Sequence, residues 1–459
     1  MRRAILKTAA AAVTVLALAG AASAETMTIT GDKGPFTAIV GGHIFTAAPA
    51  GELASGTVLI SHGKIVSVGA EVKIPDGARI IDAKGAIVTP GFVSADTGLG
   101  ETEVGLDEDA ADLGDMTAGP GDGTRDLQTT SSKFSAAFDV QYALNPASTV
   151  IPLARLAGIT SAVILPEYGG GRREGPREAL FAGQAAAIDL GQGPDLLLKP
   201  HVAMVMAFGE SGADHNGGSR NAAVLELKDT LTQVRRYVHD KAAYEKNQTR
   251  PFSLSQADLE ALIPVAEGRL PVLVGVHRAS DIRLVLKLAR EEKLKVILEG
   301  VDEGWLVASE IAAAHVPVVL DPQDDLPASF EQLAANMENA ARLQAAGVDV
   351  IVGSSSENYR VRELRYLAGD AVAYGLPWGA ALKSVTINPA RAFGVADRVG
   401  SLEAGKDADI VVWSGDPFEP MTQPLAIFIK GEAQPLTSRQ LQLRDRYKEL
   451  NRPYPPAYH

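Results

Sequence analysis

The sequence has no cysteine in 459 residues. Disulfides and thiolate metal sites are therefore excluded, and any transition metal would need His, Asp, Glu or a modified Lys. Histidine is scarce too. Eight residues, one of them the terminal His459, set the upper limit on imidazole ligands. Positive charge is in deficit: the formal net charge is −13, which argues against nucleic acid or an anionic membrane surface as the main partner. The apolar run near the N-terminus, Ala9–Leu18, is too short for a comfortable membrane span. No Gly-x-Ser-x-Gly elbow occurs, and no His is placed by sequence beside Ser354-Ser355-Ser356, so a serine hydrolase is not expected. There is no internal repeat.

Met1–Ala24 reads as a cleaved export signal. Arg2, Arg3 and Lys7 form its basic head, Ala9–Leu18 its apolar core, and Ala22-Ser23-Ala24 the small-residue cleavage site. The expected location is periplasmic or secreted, with no membrane association after cleavage. The paired arginines leave the general and twin-arginine export routes both open. Losing three cations with the signal would take the formal charge from −13 to −16.

Thr37–Thr46, Gly56–Gly69 and Ala78–Ile87 carry short β-prone runs broken by Gly42, Gly51, Gly63 and the Pro75-Asp76-Gly77 turn. Asp409–Trp413 and Ala426–Ile429 are strand-like near the other end. Between them, short apolar runs at Val150–Leu153, Ile159–Leu165, Val202–Met206, Val272–Val276, Lys295–Leu298, Val316–Leu320 and Val348–Val352 alternate with helical patterns such as Ala279–Glu292 and Glu303–Ala314. This alternation predicts an α/β fold: a (β/α)8 TIM-like barrel beside a composite β-sandwich built from both chain ends. The expected division is 1–24 signal, 25–88 N-terminal sandwich part, 89–395 barrel, 396–435 C-terminal sandwich part, and 436–459 a polar helix and Pro-rich tail. Asp107–Asp126, acidic and Gly-rich, reads as a solvated loop or lid near the barrel mouth, with a calcium site as the lesser reading. Arg172-Arg173 in the Gly169–Gly175 loop reads as solvated, with a carboxylate clamp as the alternative.

Several segments together resemble the amidohydrolase superfamily, in its imidazolonepropionase-like and prolidase-like branch. They are Gly85–Gly100 with its PGFVSADTG core, Gly158–Pro166 followed by Phe181-Ala182-Gly183-Gln184, Met204–Glu210, VHRASDI at Val276–Ile282, and TINPARAFGVADRVGSLEAGKDAD at Thr386–Asp409. The resemblance implies a barrel hydrolase with divalent metal at the ends of its strands, where the ion would acidify a bound water. It also shows that most ligand positions are replaced. The family's strand-1 His pair falls on Asp96 and Gly98. Its lysine falls on Val205, a further His on Gly275, another on Glu299-Gly300, and the last-strand Asp on Ser355. His277 survives.

The pocket candidates are therefore Asp96, His277, Glu299 and Ser355, with Asp96 equally readable as a strand-end cap and His277 as a structural histidine. Asp302 reads as an N-terminal helix acid. His201 and His215 flank the fourth strand, with His215 on a loop. His43, His62, His239 and His315 read as structural or surface residues. No cofactor is expected; the alternative is a single divalent metal such as zinc. The functional expectation is a weakly active or inactive relative that binds a small-molecule or peptide-like ligand, or that pairs with an intact paralogous amidohydrolase or forms a homo-oligomer. The rival is an active C–N bond hydrolase using a remodelled single-metal site. A purely structural subunit is the third reading.

Overall fold

The computed structural model describes residues 29–30, 34–101, 135–168, 180–216, 218–324, 326–353 and 358–448. The predicted signal, the Asp107–Asp126 segment, Arg172-Arg173, Ser355 and the C-terminal tail lie outside them.

Eight strands form the central sheet: β1 (Phe92–Thr97), β2 (Ile159–Ile164), β3 (Phe181–Asp189), β4 (Leu197–Ala207), β5 (Val272–Val276), β6 (Val296–Gly300), β7 (Val318–Leu320) and β8 (Val350–Val352). Each lies beside its sequence neighbour. The ends nearly meet: a Cβ built on Gly353, just past β8, would lie 3.9 Å from Cβ of Asp96 on β1. Small and branched side chains fill the interior, among them Val93, Ala95, Val163, Leu273, Ile297, Val319 and Ile351. The alternate residues, such as Phe92, Val272, Val274, Leu298 and Val350, pack outward under the helices.

One strand departs from a regular (β/α)8 order. β3 runs antiparallel to both β2 and β4. Its sequence, FAGQAAAID, is rich in alanine, which carries little β propensity. It is buried along its whole length, so tertiary burial rather than local preference holds it in the sheet. The expected apolar run Val150–Leu153 is not a strand. It opens the helix Ile151–Leu156, where Pro152 sits in the first turn and its fixed φ suits a helix start. Helix Ala279–Glu292 forms where predicted and ends at Lys293 in the left-handed region (φ 60°).

The second sheet joins the two chain ends, as the composite architecture requires. Ile87–Pro90 pairs antiparallel with Ile410–Trp413, which pairs with Pro424–Ile429. Phe36–Phe45 lies parallel to Ile87–Pro90 and antiparallel to Glu52–Ser61. Ile39, Ile44, Val58, Ile81, Val88, Ile410, Val412 and Phe428 share one apolar core. Trp413 ties this domain to the barrel. It is fully buried, donates from Nε1 to Thr89 Oγ1 at 2.9 Å, and stacks on Phe92 of β1 at 5.4 Å between ring centroids. Only glycine fits at Gly158, ahead of β2: its φ is +85° and a Cβ would sit 2.3 Å from the indole of Trp413.

Candidate active site

The C-terminal ends of the barrel strands surround a cavity of about 340 Å³. Two-residue alternation places its walls. On β5, Leu273 and Gly275 point inward, and the same parity carries His277 to the mouth. On β6, Ile297 points inward and Glu299 follows it. Asp96 comes from the end of β1, Glu167 follows β2, and Asp321 and Asp324 follow β7. Among the described residues, five carboxylates and one imidazole thus face a single space, and none of those lining it is Lys or Arg.

Crowding of acids in a buried space changes their titration. Burial, then the charges of Glu167 and Asp321, push Asp96 up to about 7. Glu299 is held well above its ordinary value by burial and by the neighbouring Asp96. Its Oε1 is buried without a hydrogen-bond partner. Burial and mutual proximity thus favour the protonated form of each. Burial raises Asp324 to about 6, with Asp321 and Asp302 adding to it and His277 and Arg360 opposing. Asp321 is raised by burial, against the opposing Gln323 N–H and Arg360.

His277 behaves oppositely. Burial works against its charged form, but hydrogen bonding from Nδ1 to the buried carboxylate of Asp302, the charge of that carboxylate, and the charges of Glu331 and Asp324 together hold it above its ordinary value. Asp302 is thus an orienting partner for the imidazole and not a helix-start acid; the short 3-10 turn begins at Gly304. On the opposite wall, Tyr168 donates to Leu180 O and accepts from Ala207 N–H, both at 2.8 Å. Its ring stacks on His215 at 4.0 Å. His215 caps the short helix Gly209–Asp214 rather than lying on a free loop, and burial lowers its pKa. His201 binds Asp139 at 2.7 Å, away from the mouth.

Three of the four sequence candidates, Asp96, His277 and Glu299, line this one cavity; Ser355 is outside the described residues. Glu167, Asp321 and Asp324 were not singled out in the sequence. Their signal is position alone, since each lies in a loop that follows a strand ending at the mouth.

The two-metal centre implied by the resemblance does not fit the residues present. Val205 and Gly275 line the cavity without offering a side-chain donor. At Gly300, φ is +84° and a Cβ would meet His277 Cε1 at 2.5 Å and Nδ1 at 2.7 Å, so the surviving imidazole occupies the space a ligand side chain would need. Among the described residues, no group of three or more His, Asp or Glu is arranged to hold an ion.

Comparison with known proteins agrees with this architecture. The amidohydrolase family profile matches residues 276–437. The chain is similar to the amidohydrolase tasK of Hapsidospora irregularis, 24% identical over 413 residues, 83% of this chain but only 40% of that protein. It is also similar to an imidazolonepropionase of Symbiobacterium thermophilum, 26% identical over 411 residues, covering 78% of this chain and 84% of the enzyme. A solved amidohydrolase from Thermotoga maritima superposes with a TM-score of 0.72 at 25% identity, over 86% of this chain and 99% of that one. With the nearly closed barrel and the sheet made from both chain ends, these matches support a place for the chain in the amidohydrolase superfamily.

Proposed function

We propose that this chain is a superfamily member without the binuclear centre, weakly active or inactive as a hydrolase, whose mouth cavity binds a small amine-bearing or peptide-like ligand. The observation that carries the reading is the lining among the described residues: five carboxylates and one imidazole, with no Lys or Arg. A ligand ammonium group beside Asp96 and Glu299 would favour their ionised forms, which burial and their mutual proximity disfavour. The volume suits a molecule of dipeptide size. The names of the relatives, amidohydrolase and imidazolonepropionase, make amide-like compounds the first class to screen.

Association with an intact amidohydrolase or a second copy, and export through Met1–Ala24, belong to the same proposal. The matched region is only 40% of tasK, so a single chain of that length has room for more than one such unit. The rival, a single-ion hydrolase, is favoured by the buried unpartnered Oε1 of Glu299. The test is a melting-shift screen of amines, dipeptides and acyl amides on the wild type and on Glu299→Gln, with and without zinc. The proposal expects a metal-independent shift that the substitution removes. Zinc-dependent turnover abolished by Asp96→Ala and by His277→Ala would overturn it in favour of the single-ion enzyme. A panel that gives neither shift nor turnover would leave the structural subunit.

A further inference from the structure

The barrel end opposite the mouth holds a second and larger cavity of about 1010 Å³. It opens where strands begin: Lys295 immediately precedes β6, and His315 lies just ahead of β7. Arg283, Lys287 and Arg290 follow one another at i, i+4 and i+7 along one face of helix Ala279–Glu292. Arg391, on the helix Ile387–Ala392, closes the other side.

In this acidic protein the charge balance of the cavity is inverted. Among the described residues, seven of those lining it are Lys or Arg, and the one acid is Glu310. Glu310 is already bound by Arg283 at 2.8 Å, and Lys287 lies 3.8 Å from Glu291. Arg290, Lys295, His315 and Arg391 form no salt bridge among the described residues. Like charges spaced along one helix face repel, and gathering more of them around a concave wall adds to that cost. A concave wall also concentrates their field on whatever enters. Guanidinium and ammonium groups set around a hollow are the usual means of holding oxyanions, the guanidinium through paired hydrogen bonds and the ammonium as a point charge.

We infer that this crevice is a binding site for a multiply charged anion bearing carboxylate or phosphate groups, independent of the mouth cavity at the other end of the barrel. The full chain is titrated calorimetrically with two probes, inorganic tripolyphosphate and a hexaglutamate peptide, at fixed ionic strength. The wild type is compared with Arg290→Glu/Lys295→Glu, and with a control of equal charge change in the connections of the composite sheet, Lys73→Glu/Lys84→Glu. The milder pair Lys295→Gln/Arg391→Gln serves if the reversal lowers the melting temperature. The inference expects at least one probe to bind, about tenfold more weakly in the crevice variants and nearly unchanged in the control, with affinity falling as salt rises. The probe that binds distinguishes a phosphate-bearing from a carboxylate-bearing ligand. No binding of either probe, or equal losses in crevice and control variants, would overturn it.

Discussion

Replacing Asp96 by Asn keeps the size of the side chain and removes its charge, so it isolates the cost of ionising an acid in the crowded mouth. Asp96 ionises near 3.8 in the unfolded chain and at about 7 in the fold. Between those values the unfolded state releases its proton first. The stability linked to Asp96 is therefore fully present below about pH 4 and is lost as pH rises through about 7. The whole shift corresponds to about 4 kcal/mol at 1.36 kcal/mol per unit. The Asn amide must itself find hydrogen-bond partners in the buried site, so the expected gain of Asp96→Asn over wild type at pH 8 is about 2–4 kcal/mol, shrinking to about 1 kcal/mol or less at pH 4.5. Urea unfolding followed by circular dichroism at the two pH values measures it. Some wild-type slope should remain in the variant. Asp409, fully buried behind the composite sheet, is also raised to about 7, by burial first and then by Asp407 and Asp189, against Lys430. A difference between variant and wild type that does not change with pH, or that grows toward acid, would refute the reasoning about the mouth carboxylates.

Gly300→Ala should cost about 2 kcal/mol, through the positive φ and the collision with His277, and should lower the His277 titration followed by NMR as its ring is pushed off Asp302. An unchanged melt together with an unchanged His277 titration would show that the imidazole does not fill that space. Deleting residues 386–459 removes Ile410–Trp413 and Pro424–Ile429 and leaves Ile87–Pro90 without its antiparallel partner, so the truncated chain should not melt cooperatively. A cooperative monomeric melt would contradict the shared sheet.

The composite sheet was legible because its strands are short β-prone runs punctuated by glycine and turns, and the segments predicted at the two ends do pair. Most barrel strands were legible for the same reason. β3 was not, since three consecutive alanines carry no strand signal and only burial selects the extended form. Val150–Leu153 misled because a short apolar run suits a strand or a buried helix turn equally, and Pro152 decided in favour of the helix. At the mouth, Asp96, His277 and Glu299 could be found because the resemblance placed the family's ligand positions on or beside them, and strand ends in a barrel converge on one face. The partnership of Asp302 with His277 could not, since it depends on how the chain turns after β6. Glu167, Asp321 and Asp324 became visible only when the loops after β2 and β7 were seen to lean into the same space.

The central proposal is that a barrel resembling those of the amidohydrolases carries an acid-lined pocket in place of a binuclear metal centre. Elemental analysis tests it most directly, on full-length protein purified at neutral pH without chelator and with zinc or manganese supplied. Val205, Gly275 and Gly300 offer no side-chain donor where the family places ligands, so the account predicts well under one equivalent of transition metal per chain. Two tightly held ions per chain would contradict it.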